Sequence, residues 1–180
     1  MRFTRLAPLA ASMLLVACGG GGGGGGGSAG AEATPSLGLF RNATVNFYRA
    51  DDSNCPAACE LLATSNTGTT GVISARISGY SGPLVIEVAG NASAEYFDEQ
   101  SGRFEPFTAG DRVRALTPGS RGRFGVTVLT ELAYQRAVAE DRFPLNANTV
   151  RAINESVRTA LAPELPDILT SPGLITDTTA

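Results

Sequence analysis

From Leu37 onward, apolar and polar residues alternate in short runs broken by Gly, Asn, Ser and Pro, the pattern of half-buried strands joined by tight turns. Ala43 to Arg49 sets Val45 and Phe47 on one face and Thr44, Asn46 and Tyr48 on the other. Glu60 to Thr64 reads as a short strand, and Val72 to Ser78 keeps Ile73, Ala75 and Ile77 in register. Leu84 to Ala89 is the most strand-like run, with Leu84, Ile86 and Val88 inward and Val85 and Glu87 opposite. Tyr96-Phe97 and Arg103-Phe104 flank Asp98 to Gly102, a hairpin whose glycine suits a positive φ. Arg112 to Leu116 alternates two arginines against Val113 and Ala115, and Arg123 to Val128 points Phe124, Val126 and Val128 one way. About seven or eight such strands predict a mainly β fold, an Ig- or transthyretin-like sandwich over residues 37–128.

After Val128 the period changes. Thr130 is the expected cap of a helix with Glu131 in its first turn, and Leu132, Ala133, Arg136, Ala137 and Glu140 run at helical spacing until Pro144. Asn148 is the expected cap of a second helix, striped by Val150, Ile153, Val157 and Leu161 and ended by Pro163 and Pro166. Residues 129–169 thus form a helical segment, and 170–180 read as a disordered polar tail. The first helix offers Leu132, Ala133, Ala137 and Val138 as its apolar face, too little to stand alone, so it must start at the sheet edge and pack back.

The other end of the chain is an address. Arg2 and Arg5 precede an apolar stretch from Leu6 to Ala17, about 12 residues long and too short to span a bilayer of roughly 30 Å. Residues 1–17 read as an export signal. Leu15-Val16-Ala17-Cys18 resembles the lipobox of bacterial lipoproteins, which implies that Cys18 is lipidated and becomes the mature N-terminus. Acyl chains there imply a membrane anchor, and Gly19 at the next position implies the outer membrane, facing periplasm or cell surface. Residues 18–36, with glycine from Gly19 to Gly27, read as a flexible tether with a reach of roughly 20–25 Å. Gly26 to Gly30 fits G-x-S-x-G, but with no strand before it and no helix after it the motif means nothing.

Composition narrows the chemistry. Losing Arg2 and Arg5 takes the formal net charge from −3 to −5, which argues against nucleic acid as a partner. The chain holds no His, no Trp and no Lys. Ser-His-Asp and Cys-His nucleophiles, Schiff-base lysines and the commonest zinc ligand are therefore excluded, and no catalytic residue, metal ligand or cofactor is assigned. Apart from Cys18 the cysteines are Cys55 and Cys59, spaced C-x3-C. In an oxidising compartment the pair is expected as a structural disulfide, with free thiols or a redox or copper site as alternatives. A copper site of that spacing lacks its usual His or Met here, since both methionines lie in the signal.

Gly38 to Tyr48, the Thr-Gly turn before Val72, and Tyr80 to Gly90 resemble the transthyretin-type, carboxypeptidase-regulatory-like sandwiches of bacterial surface lipoproteins. Tyr96 to Gly102 and Leu129 to Ala133 are similar to segments of uncharacterised lipoproteins of this build. The resemblance implies an accessory module without peptidase activity. Two candidate contact regions follow from charge. Glu95, Asp98, Glu99 and Glu105 are oxygen ligands that a Ca²⁺ ion could use, although the ordered D-x-D-x-D-G pattern is missing, so a solvated hairpin tip is the simpler reading. Arg112, Arg114, Arg121 and Arg123 suit phosphates or an acidic glycan, unless they form a solvated sheet face. Asp98, Glu99, Arg112 and Arg114 are thus the candidate ligand or cation contacts. The expectation is a non-enzymatic, lipid-anchored envelope protein that binds a glycan or protein partner or organises the envelope. The alternative is an accessory or catalytic component of envelope polysaccharide processing, acting through carboxylates.

Overall fold

The computed structural model describes residues 30–171 and Gly173; the signal, Cys18, the glycine run to Ala29 and most of the expected tail lie outside the described residues. The domain is mainly β, a sandwich followed by two helices. One layer is an antiparallel sheet of four strands, β3 (Thr44–Arg49), β4 (Leu61–Asn66), β6 (Leu84–Ala89) and β9 (Arg112–Thr117), in the order β4-β3-β6-β9. Its register stacks Val45, Val88 and Val113 in one row and Phe47, Ile86 and Ala115 in another, all facing the core. Because side chains alternate along a strand, the rows between them face outward: Asn46, Glu87 and Arg114, then Tyr48, Val85 and Leu116.

Two smaller sheets close the inner face. The first comprises β1 (Ala31–Pro35) between β10 (Gly122–Val126), to which it is parallel, and β5 (Ile73–Ala75), to which it is antiparallel. The second comprises β2 (Phe40–Arg41), β7 (Glu95–Asp98) and β8 (Arg103–Pro106). The expected β7–β8 hairpin forms, with Gly102 at φ 68°. Phe40 and Phe107 meet edge to face at 4.9 Å within the same cluster as Phe47, Ile86 and Phe124.

Three expectations change. The tether was expected to run through Ser36, yet Ala31–Pro35 is a strand hydrogen-bonded on both edges. Ala, Glu, Thr and Pro give no strand signal, and their small size is what the position needs: Ala31 and Ala33 are fully buried. A Cβ on the preceding Gly30 would run into the Ala75 carbonyl, so glycine is required where β1 begins beside β5.

The helix caps also shift. α1 (Val128–Ala139) is capped by Thr127, and Thr130 sits at the third helical position, completing a reciprocal capping box. α2 (Ala147–Leu161) is capped by Asn146, which accepts from the Asn148 and Thr149 amides. Glu131 does lie in the first turn of α1, and α1 does pack back on the sheet edge beside β9.

The third change is the buried face of α1. Leu132 and Val138 are 43% and 38% exposed, whereas Thr130, Ala133, Tyr134 and Ala137 are buried. Small residues let the helix approach the sheet, and Tyr134 fills the space beside them. Val150, Ile153 and Val157 of α2 are buried as expected, but Leu161 is exposed. Together the helices cover Val85 and Leu116, forming a second core on the outer face of the sheet. β6 is therefore apolar on both sides over Leu84 to Ile86.

Candidate functional site

The helices cover only part of the outer face. Where their cover ends, Glu87 and Arg114 succeed Val85 and Leu116 along β6 and β9, and the surface turns polar. A cleft of about 380 Å³ opens here. Arg112, Arg114 and Glu87 form its floor, Tyr48 and Tyr134 stand in its lining, and the Pro56–Cys59 loop makes one rim. Cys55 and Cys59 are joined by a disulfide, S–S 2.01 Å, which closes that loop on itself.

Hydrogen bonds fix the floor. The Arg112 Nε lies 3.4 Å from Glu87 Oε2, and the Tyr48 hydroxyl donates to Glu87 Oε1 at 3.5 Å. Arg114 is held by the first turn of α1. Its Nε and Nη2 donate to the two oxygens of Glu131 at 3.1 and 2.7 Å, and its backbone N–H donates to Glu131 Oε2 at 2.7 Å. The guanidinium stacks on the Tyr134 ring, 4.1 Å from its centroid. Beside the floor, the Thr64 hydroxyl donates to Asn46 Oδ1 at 2.9 Å.

These contacts set the protonation states. Burial pulls the Arg114 guanidinium down, but the hydrogen bonds and charge of Glu131 more than offset it and leave it above its usual range. Burial raises the Tyr48 phenol, and the Glu87 charge adds to the rise. Burial raises the Tyr134 phenol too, against the opposing charge of Arg114. Both tyrosines are neutral hydroxyls at any physiological pH.

Of the residues singled out from sequence, Arg112 and Arg114 belong to this cleft and the disulfide borders it. Asp98 and Glu99 do not: they lie at the exposed tip of the β7–β8 hairpin, in the other layer. The Asp98 carboxylate accepts from the Gln100 and Ser101 amides at 3.0 and 3.2 Å, and contacts with Ser101 and the Gln100 amide hold its pKa below the usual value. It shapes the turn. Among the described residues no group of three or more acidic or sulfur side chains is placed to hold a metal. Arg123 pairs with Glu32 of β1 at 3.3 Å, away from the cleft.

Three cleft residues, Glu87, Tyr48 and Tyr134, were not picked out from sequence, nor was Glu131, which holds Arg114 from behind. Glu87 carried a signal, since it is the single charge in an otherwise apolar strand. Tyr134 and Glu131 carried none, because their place depends on where α1 docks. A hollow of about 490 Å³ lies between β1, β5 and β10, with Glu32, Arg76 and Arg123 among its lining. Compared with family models, curated proteins and solved structures, the chain matches none.

Proposed function

We propose that this chain is a lipoprotein anchored to the outer membrane through Cys18, and that its transthyretin-type sandwich acts without catalysis as an envelope binding module. The observation that carries the binding role is the cleft on the outer face of the four-stranded sheet. Its polar groups are oriented by one another and are open to a ligand, as a small site built for recognition requires. The anchor rests on the Leu15-Val16-Ala17-Cys18 sequence and the apolar stretch before it.

Binding is favoured over polysaccharide cleavage by the state of the carboxylates. A glycosidase needs two carboxyl groups facing each other across the bond, one of them kept protonated by a raised pKa. Among the described residues Glu87 is the sole carboxylate lining the cleft, and it faces an arginine. Those carboxyls of the described residues that are displaced at all, such as Asp51, Asp111 and Glu140, are displaced downward.

Two measurements test the proposal. Cys18→Ala leaves the protein soluble or unprocessed; equal recovery of that variant with outer membrane overturns the anchor. The detergent-solubilised full chain is also mixed with peptidoglycan sacculi and with extracted envelope polysaccharide. Retention that falls in Arg112→Ala, without release of new reducing ends, is the expected result. Steady release of reducing ends marks the chain as a hydrolase and overturns the binding role.

A further inference from the structure

The geometry points to an uncharged, polyhydroxylated ligand, a neutral glycan segment, as the occupant of the cleft between β6, β9, the disulfide loop and Tyr134. This rests on the reading of that cleft as the binding site and adds what the site selects. The argument begins with charge. Two arginines lie in the floor, which by itself would favour phosphate or sulfate. Each is already matched: Arg112 by Glu87 and Arg114 by Glu131. With Glu131 counted behind Arg114, the two pairs carry no net charge, and an anion would have to sit beside the Glu87 carboxylate, a like charge in a half-buried site.

Saturation differs between the two pairs. Glu131 accepts from three nitrogens of Arg114 and from Gln135 Nε2 at 2.6 Å, so it has little left to offer. The Glu87–Arg112 pair is looser. Its contacts are the 3.4 Å ion pair, the 3.5 Å hydroxyl of Tyr48 and a 3.3 Å bond from Arg112 Nη1 to the Asp111 carbonyl, and the Arg112 side chain is 40% exposed. Glu87 thus retains acceptor capacity, and Arg112 retains N–H donors directly beside it. A planar donor fork next to a carboxylate acceptor complements a pair of neighbouring hydroxyls, each of which donates once and accepts once. One ring wall, the half-buried Tyr48, supplies an apolar face for the C–H surface of a sugar ring, with its hydroxyl neutral, while the buried Tyr134 ring backs Arg114. The volume of about 380 Å³ lies within the range of small-molecule sites and suits one or two sugar units rather than a long buried chain.

The test uses beads bearing dextran, mannan or dextran sulfate and the detergent-solubilised full chain. Wild type is expected on at least one neutral polymer, with retention changing less than about twofold between about 50 and about 500 mM salt, because no net charge is being screened. Arg112→Ala and Glu87→Gln each weaken that retention at least about tenfold, the size expected for losing one charge-assisted hydrogen bond. Glu87→Gln frees Arg112, so that variant gains salt-sensitive retention on dextran sulfate. Both residues are partly exposed, and unchanged melting curves for the variants separate lost binding from lost fold. Wild type held on dextran sulfate alone, and released by salt, overturns the neutral-glycan assignment in favour of an anionic ligand. Wild type held on none of the three polymers, yet retained on envelope polysaccharide in an Arg112-dependent way, overturns this assignment and leaves the binding module standing. Loss of both kinds of retention overturns both.

Discussion

Removing the Glu131 carboxylate should loosen the sandwich at the free edge of β9. That edge points its Arg114 N–H and Leu116 C=O away from β6, and an uncovered edge invites pairing with another chain. Two helix side chains meet it: Glu131 of α1 accepts from the Arg114 amide at 2.7 Å, and Asn154 of α2 donates to the Leu116 carbonyl at 3.0 Å. In Glu131→Ala the amide loses its acceptor, costing about 1–3 kcal/mol. The Arg114 guanidinium also loses its partner. Breaking a fully buried pair costs about 3–5 kcal/mol, and because the two side chains are 20% and 19% exposed, water recovers part of it. The total should be about 2–4 kcal/mol, a large share of a typical domain stability of about 5–15 kcal/mol. Glu131→Gln keeps one acceptor for the amide and should cost about half as much. Urea unfolding followed by circular dichroism reads these differences, and hydrogen exchange at the Arg114 amide reads the edge itself. If Glu131→Ala unfolds within about 0.5 kcal/mol of wild type, and that amide stays equally protected, Glu131 does not hold the edge and the reasoning fails.

Three further outcomes are expected. Phe47→Ala, at a fully buried ring between the layers, should cost about 3–5 kcal/mol in the same urea assay, whereas Leu132→Asp should stay within about 1 kcal/mol because that side chain is 43% exposed and its charge can reach water. Burial pushes the Asp51 carboxyl up, but hydrogen bonds from Arg49 and Tyr80 outweigh it and hold its pKa below the ordinary 3.8. A depressed carboxylate contributes stability above its unfolded value and loses it as pH falls through the folded one, so wild type should weaken below about pH 4 and Asp51→Asn should flatten that fall in acid melts. Replacing both Cys55 and Cys59 with serine opens a very short loop and should cost about 2 kcal/mol or less; intact mass after alkylation should find no free thiol at either position in the wild type.

The strands that alternate cleanly were legible because burial on one face writes a period of two into the sequence. Leu84–Ala89 and Thr44–Arg49 match their expected runs almost residue for residue. β1 was not legible, since its ladder needs only backbone and small side chains, and alanines read equally well as linker. The caps fell at Thr127 and Asn146 rather than Thr130 and Asn148 because each expected residue has a capping-competent neighbour two or three positions earlier. Spacing alone does not choose between them. For the cleft, the alternation placed Arg112 and Arg114 together on one face and Glu87 opposite the core. Joining them required the cross-strand register that sets Glu87 beside Arg114, which no local pattern encodes. Asp98 and Glu99 were singled out by charge alone, as a region separate from the arginines, and the topology places them in the hairpin of another sheet.

The paired charges on the sheet can be separated from fold stability. Two residues along the same strands, Val85 and Leu116 pack under the helices, so this face of the sheet accepts apolar residues readily. Replacing a partly buried ion pair by apolar groups of similar volume is often neutral or stabilising, by about 1–4 kcal/mol when the pair is fully buried. The Glu87 side chain is 16% exposed and Arg112 is 40% exposed, so the double variant Glu87→Leu with Arg112→Leu should melt no lower than wild type. The same variant removes the acceptor and the donor fork from the cleft floor, and its retention on neutral polymer should fall at least as far as in either single variant. Stability kept and binding lost would identify the pair as a recognition element. A double variant that melts well below wild type would instead make the pair a structural support of the β6–β9 edge, and the cleft would lose its main claim to be a binding site.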